Sequence, residues 1–217
     1  MKKLVIFGVG HAGELAHFYF TRDAGREVAG FTVDSAFLTS SSFCGLPTAP
    51  FERVEAAFPP TEHDCFVAVG YAELNQLRAR KAAEAKAKGY ALASYRSSHA
   101  SILTEEPLGE NCFVVEGSIL QPFCRLGNNV TVWGGVIGHH SIVADNCFIG
   151  GYVAGGVTIG PNCFIGMAAL LRSGVTIGEH SVIGIGAIIT ADVPPSSVLK
   201  GADSEMSRVP SHRLPRL

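Results

Sequence analysis

The 217-residue sequence predicts two parts of different class: a small doubly wound α/β domain, then an all-β parallel solenoid. Three observations predict this. A glycine-rich loop joins the first apolar strand to a helix-like stretch. Strand and helix signals then alternate as far as Tyr95. Beyond Ser97, aliphatic residues return at six-residue intervals. The expected boundaries are 1–96 for the α/β domain, 97–198 for the solenoid and 199–217 for a C-terminal tail broken by Pro210 and Pro215.

Lys3 to Phe7 is a short apolar strand that runs into Gly8-Val9-Gly10-His11-Ala12-Gly13, with a helix expected from Glu14. A second strand, Glu27 to Thr32, ends at Val33-Asp34, and Asp34 falls about where a Rossmann unit places the acid that meets a ribose. A short helix around Phe51 to Phe58 closes at Pro59-Pro60, and a strand Cys65 to Val69 ends in Gly70. In the next helix Leu74, Leu77, Ala82 and Ala85 share a face, Arg78, Lys81 and Lys88 are expected in solvent, and Gly89 ends it. A last strand, Tyr90 to Tyr95, leads into the repeats. Alternating strands and helices imply a parallel sheet. The domain is only half of a dinucleotide fold, so its loop favours a nucleotide-sugar over NAD, with a purely structural turn as the alternative.

In the solenoid the inward aliphatics are Leu108, Val114, Leu120 and Leu126, then Ile137, Val143 and Ile149, then Ile159, Ile165, Leu171, Ile177 and Ile183. Such hexads signal short flat strands joined by turns, three units closing a triangular coil. Cys112, Cys124, Cys147 and Cys163 take the small inward position that Val130, Ser141, Ala169, Ser181 and Ala187 take elsewhere. They read as small core residues, and no close-spaced cysteine pair suggests zinc or redox chemistry.

The composition bounds the partners. With 47% hydrophobic and 17% charged residues and a formal net charge of -2, the chain offers no electrostatic footprint for nucleic acid or an anionic membrane. It shows no signal peptide and no apolar run long enough for a bilayer, so a cytoplasmic location is expected.

His139 and His140 follow the inward Ile137 by two and three places, so both should face a groove outside the coil. A histidine there can serve as a base near neutral pH; a surface pair or subunit contact is the alternative. The repeat is disturbed on both sides: the unit at Trp133-Gly134-Gly135 is one residue short, and Ile149 to Thr158 does not fit whole hexads. A disturbed scaffold around a polar pair suggests a built site. Zinc on His139, His140 and His180 is the competing reading, but the next coil offers Phe148 and Tyr152 where further histidine ligands would be needed.

The motif Ile137-Gly138-His139-His140, on such a coil and behind such a domain, resembles the left-handed β-helix (hexapeptide-repeat) acetyltransferases of nucleotide-linked or polymeric sugars. The similarity covers nearly the whole chain and is greatest to the UDP-4-amino-sugar N-acetyltransferase and sialic acid O-acetyltransferase-like branch. It implies acetyl transfer from acetyl-CoA to a sugar amine or hydroxyl, without metal or acyl-enzyme. His139 would be the general base and His140 would stand where the family usually has an acid. Gly155, in Ala154-Gly155-Gly156-Val157, would offer its N–H to the thioester oxygen. Gly8, Gly10, His11, Asp34 and Gly70 would hold the nucleotide, Trp133 would shape the acceptor pocket, and acetyl-CoA would run past Gly166, Met167 and Ala168 toward Lys200. The resemblance also implies a homotrimer with sites between subunits. Gly201-Ala202-Asp203-Ser204 departs from the family's Gly-x-Pro-Ala, and Arg208, Arg213 and Arg216 are further cations in the tail. The alternatives carried forward are a trimeric nucleotide-sugar-binding protein without catalysis and a zinc hydratase of the same architecture.

Overall fold

The computed structural model describes residues 2–204 and Arg213. The N-terminal part holds β1 (Lys3–Phe7), α1 (His11–Arg22), β2 (Val28–Val33), β3 (Ser42–Phe43), β4 (Leu46–Pro50), α2 (Val54–Ala57), β5 (His63–Val67) and α3 (Gln76–Ala87). Its sheet runs β3-β4-β2-β1-β5, parallel except for the β3–β4 hairpin. β1 is central, and Leu4, Val5, Ile6 and Phe7 are all buried, as a strand covered on both faces requires. Ala16 and Phe20 of α1 pack on one face, Ala82 and Ala85 of α3 on the other.

Two expectations are corrected here, and one pair of strands is added. α1 begins at His11, three residues before the expected Glu14, because the chain turns directly out of Gly10. The hairpin and β4 were hidden by Pro47 and Pro50, tolerable where β4 meets β2 on one side and only the short β3 on the other. Tyr90 to Tyr95 is no continuous strand: Leu92 makes one bridge to Cys65, and Tyr95–Arg96 already belongs to the solenoid.

The solenoid is a parallel β-helix of three sheets, as a left-handed β-helix of hexads requires. The first, here the docked sheet, stacks Tyr95–Arg96, Phe113–Val114, Thr131–Val132, Phe148–Ile149, Phe164–Ile165, Val182–Ile183 and Val198–Leu199. The second runs from Ser101–Ile102 through Val136–Ile137 to Ile188–Ile189, and the third from Arg125–Leu126 to Thr176–Ile177. The second residue of nearly every two-residue strand is buried, and these residues form one continuous core with Cys112, Cys124, Cys147 and Cys163. Burial lifts the Cys112 and Cys124 thiols to about 11, so neither is a nucleophile at neutral pH.

The corner between the docked and second sheets is shortened twice, at Trp133-Gly134-Gly135 and at Gly150-Gly151, as the broken hexads foretold. Strand pairing survives both deletions: Ile137 lies opposite Leu120 above and Val153 below. The docked sheet faces the N-terminal domain, with Tyr95, Phe113 and Val115 sharing a core with α1.

Candidate active site

His139 stands on the edge between the second and third sheets, on one rung of a stack that runs Gln121-Pro122-Phe123, Gly138-His139-His140, Ala154-Gly155-Gly156 and Arg172-Ser173-Gly174. Its backbone is held from both neighbouring coils: the N–H donates to Gln121 Oε1 at 2.9 Å, and the carbonyl accepts from the Gly156 N–H at 2.8 Å. The imidazole lies over Gly155, where a Cβ would come within 2.5 Å of Cε1 and Nε2. A side chain at 155 would therefore push the His139 ring from its place. Gly138 is a steric requirement, since a Cβ there would meet backbone, Gly155 N at 2.5 Å. Among the described residues the Gly155 N–H has no acceptor within the chain, so an exposed basic nitrogen and a free backbone donor sit one coil apart.

His140 takes the left-handed conformation, φ 57°, at the end of its corner. Its Nδ1 is 3.1 Å from Nδ1 of His139, and its ring centroid is 4.8 Å from that of Phe123. Ser141 points inward: its hydroxyl donates to Ala154 O at 2.9 Å and accepts from the Val157 N–H at 3.1 Å. It pins the coil that carries Gly155.

A second locus lies on the other side of the prism. A cavity of about 400 Å³ opens between the N-terminal domain and the docked sheet, lined by Leu15, Gly70, Tyr71, Trp133, Phe164 and Met167 among others. The Gly8 to Gly13 loop borders it through Ala12. Two of the loop glycines serve packing: a Cβ on Gly8 would meet Ala68 O at 2.6 Å, and one on Gly13 would meet Gly8 O at 2.1 Å. Gly10 faces open space at the start of α1, where helix N–H groups have no helical partner. His11, the first residue of α1, is exposed there.

The sites expected from sequence are thus divided. Gly70, Trp133 and Met167 come together in the cavity, while Gly8, Gly10 and His11 do not line it and precede its Ala12 in the chain. His139, His140 and Gly155 come together on the opposite edge. Gly166, Met167 and Ala168 form a corner between the docked and second sheets, so a single chain does not place them beside His139. Asp34 is not free, because Lys81 Nζ donates to its Oδ1 at 2.8 Å; Lys81 was expected in solvent and is instead partly buried by this pair. Lys200 is exposed after the final strand. Arg208 and Arg216 lie outside the described residues.

Arg78 overturns its expectation more thoroughly. It is 3% exposed, and its donors reach Asn129 Oδ1, Asn129 O, Cys147 O, Val69 O and Gly70 O at 3.0–3.4 Å. All of a guanidinium's N–H groups are accounted for by uncharged oxygens, and burial lowers it to about 10. It is a cation at neutral pH that joins α3, the mouth of the cavity and two coils. Below it runs a ladder missed in the sequence: Asn111 Nδ2 donates to Asn129 Oδ1 at 2.7 Å, and Asn129 Nδ2 to Asn146 Oδ1 at 2.9 Å. The recurrence of Asn111, Asn129, Asn146 and Asn162 at coil spacing was its signal.

Residues 156–191 match the family described as bacterial transferase hexapeptide (six repeats). The matched stretch lies within the solenoid. Solved structures share this chain's fold across 93% of its length. The acetyltransferase domain of PglB from Neisseria gonorrhoeae is 23% identical with a TM-score of 0.81 over 97% of its length. Perosamine N-acetyltransferase from Caulobacter crescentus, solved as a histidine-to-asparagine variant with CoA and GDP-perosamine, is 24% identical with a TM-score of 0.83 over 94% of its length. WeeI from Acinetobacter baumannii is 17% identical with a TM-score of 0.80 over 97%. At these identities the likeness is one of fold. No curated protein sequence matches the chain. Among the described residues no helix is long and apolar enough to cross a membrane, and no cluster of histidine, cysteine and carboxylate side chains could hold a metal ion.

Proposed function

We propose that the protein transfers the acetyl group of acetyl-CoA to the amino group of a nucleotide-linked sugar, with a sugar hydroxyl as the second acceptor class. The observation that carries this reading is the pairing of His139 Nε2 with the free Gly155 N–H on one exposed edge. His139 takes a proton from the acceptor nitrogen as that nitrogen attacks the thioester carbonyl carbon. The Gly155 N–H meets the oxygen that gains charge, the C–S bond breaks, and the proton passes to the departing thiolate. Ser141 and the core cysteines point inward and are buried, so none of them is placed as an acyl-accepting nucleophile, which fits direct transfer. Solved relatives of the same fold are described as acetyltransferases and hold acetyl-CoA, or CoA with GDP-perosamine.

The nucleotide belongs to the N-terminal domain. Gly10 leaves room for a phosphate against the first N–H groups of α1, and the adjoining apolar cavity, with Trp133 and Gly70, receives what the nucleotide carries. Asp34 contributes only if it exchanges Lys81 for a ribose hydroxyl.

In a triangular prism the histidine edge faces away from the docked sheet. A substrate seated at the cavity therefore reaches His139 only of another copy. The outer face of the second sheet suits such a contact: Tyr152, Leu170 and Ile188 form an exposed apolar stripe, 47%, 47% and 70% accessible. A homotrimer is the assembly proposed, and it also allows Met167 of one copy to approach the histidine edge of the next. Lys200 is available to the phosphates of CoA at the far end of the groove.

The test is a panel of nucleotide-linked amino sugars and free sugars incubated with acetyl-CoA, with released thiol as the readout. Thiol release that depends on an amino sugar supports the reading. Nucleotide-sugar binding by calorimetry, with no acetyl-CoA binding and no thiol release, would sink it.

A further inference from the structure

The contact between the two imidazoles at the histidine edge assigns work to His140, on the reading that the edge performs acyl transfer. Nδ1 of His139 and Nδ1 of His140 are 3.1 Å apart, with ring planes at 84°. Two neutral imidazoles share such a contact only if one Nδ1 carries the hydrogen and the other presents its lone pair. The two choices differ in consequence. If His140 donates, His139 carries its hydrogen on Nε2 and cannot accept a proton at the corner of Gly155. If His139 donates, its Nε2 lone pair faces that corner.

We infer that His140 is a positioning residue that accepts the Nδ1–H of His139 and holds the base in the tautomer whose Nε2 is free. His140 is itself held on three sides. Its left-handed backbone, φ 57°, turns the ring back along the edge; its N–H donates to Pro122 O at 3.3 Å; and its ring rests against Phe123. Phe123 is 65% exposed and also sits at a positive φ, 66°. A bulky residue in that backbone region carries strain, and a solvent-facing ring contributes little to the core. Backing His140 accounts for both.

The imidazole differs from a carboxylate in charge. The groups facing the pair are Glu106 and Arg125, which border the same shallow recess as His140 and pair with each other at 3.1 Å, and Arg172 on the coil beyond Gly155. Among the described residues no carboxylate bonds to either ring. The pair therefore has no counter-charge for a proton taken up by His139, and protonation of His140 at Nδ1 abolishes the acceptor.

Long-range 1H–15N correlation spectra of the intact protein with labelled histidine report the tautomer without substrate. The expected result is His139 protonated at Nδ1 and bare at Nε2, and a change of this pattern in His140→Ala. In that variant kcat should fall at least about tenfold, while KM for acetyl-CoA and for the sugar and the thermal midpoint stay near their original values. His140→Asn, whose side-chain oxygen can accept the same hydrogen and which tolerates a left-handed backbone, should recover part of the loss. His140→Glu should move the acidic limb of the kcat/KM profile up by about one pH unit or more, since an adjacent negative charge favours protonated imidazole. An Nε2–H on His139 in the unmodified protein overturns the inference. So does a His140→Ala variant with unchanged kcat and a raised sugar KM, which would make His140 a substrate contact. A protein with the expected tautomer but no thiol release would refute acyl transfer and leave the positioning role of His140 standing.

Discussion

Two edges of the same prism use the same backbone and spend it differently. On the edge between the third and docked sheets, Asn111, Asn129, Asn146 and Asn162 end their corners at φ 53–60°; on the edge between the second and third sheets, His140 does so at 57°. The asparagines consume their polar groups within the fold: Asn129 alone serves Arg78, Asn111 and Asn146. At the histidine edge the two side chains bond only each other, and the Gly155 N–H bonds to nothing within the described residues. The asparagine ladder stabilises; the histidine pair is left with capacity to react. Position in the repeat sets the backbone, and the neighbours on adjacent coils decide whether a polar group is structural or chemical.

The comparison can be broken at either edge. The largest effect is expected from Gly155→Ala, whose Cβ must displace the His139 ring: kcat should drop by about a hundredfold to ten-thousandfold, the range for a misplaced general base, in a steady-state thiol-release assay. At the other edge, Arg78→Met leaves several buried oxygens without donors and should cost about 3 kcal/mol or more of stability, read from urea unfolding. A loss of activity there that was not matched by a loss of stability would erase the distinction drawn between the edges. His139→Ala should lower turnover by at least about a hundredfold, or about 2.7 kcal/mol, with an unchanged melting temperature; near-normal turnover would remove the chemistry from the histidine edge.

The smallest effect concerns the seam between the domains. The Asp23 carboxylate accepts from the Ser98 hydroxyl, the Tyr95 hydroxyl and the Ser98 N–H, and these bonds lower it to about 2 from an ordinary 3.8. A depressed carboxylate contributes stability that is complete above its unfolded value and lost as pH falls through the folded one. Unfolding midpoints should therefore decline from about pH 4 toward pH 2, and Asp23→Asn should flatten that slope in circular-dichroism melts. An unchanged slope would leave the Asp23 contacts without a part in acid stability.

The solenoid was legible in the sequence because each coil repeats one environment: an aliphatic residue inward, a small residue at the turn, and cysteine reading as a small core residue. Even the two shortened corners showed as broken spacing. The histidine edge was legible for the same reason, since Ile137 fixed which way His139 and His140 face. The docking of the domains was not. Arg78 lies on a polar helix face that solvent would normally take, and only the three-dimensional approach of Asn129 and Cys147 buries it. Asp34 matched a motif position, yet Lys81, one turn along α3 from Arg78, occupies it. Met167 was expected beside the histidines from the resemblance alone, but which edge of the prism it occupies depends on how coils close, a property of the repeat as a whole.

The shortened corners have a consequence for how such a protein can change over generations. Ile137 follows Leu120 by 17 residues, Val153 follows Ile137 by 16, and Leu171 follows Val153 by 18, yet every pair stays in register. A residue can be deleted at a corner without propagating a shift through the stack. The outline of the cavity can therefore be edited one residue at a time by the ordinary accidents of replication, while the strands that carry His139 and Gly155 keep their places. The cavity and the histidine edge are thus heritable separately.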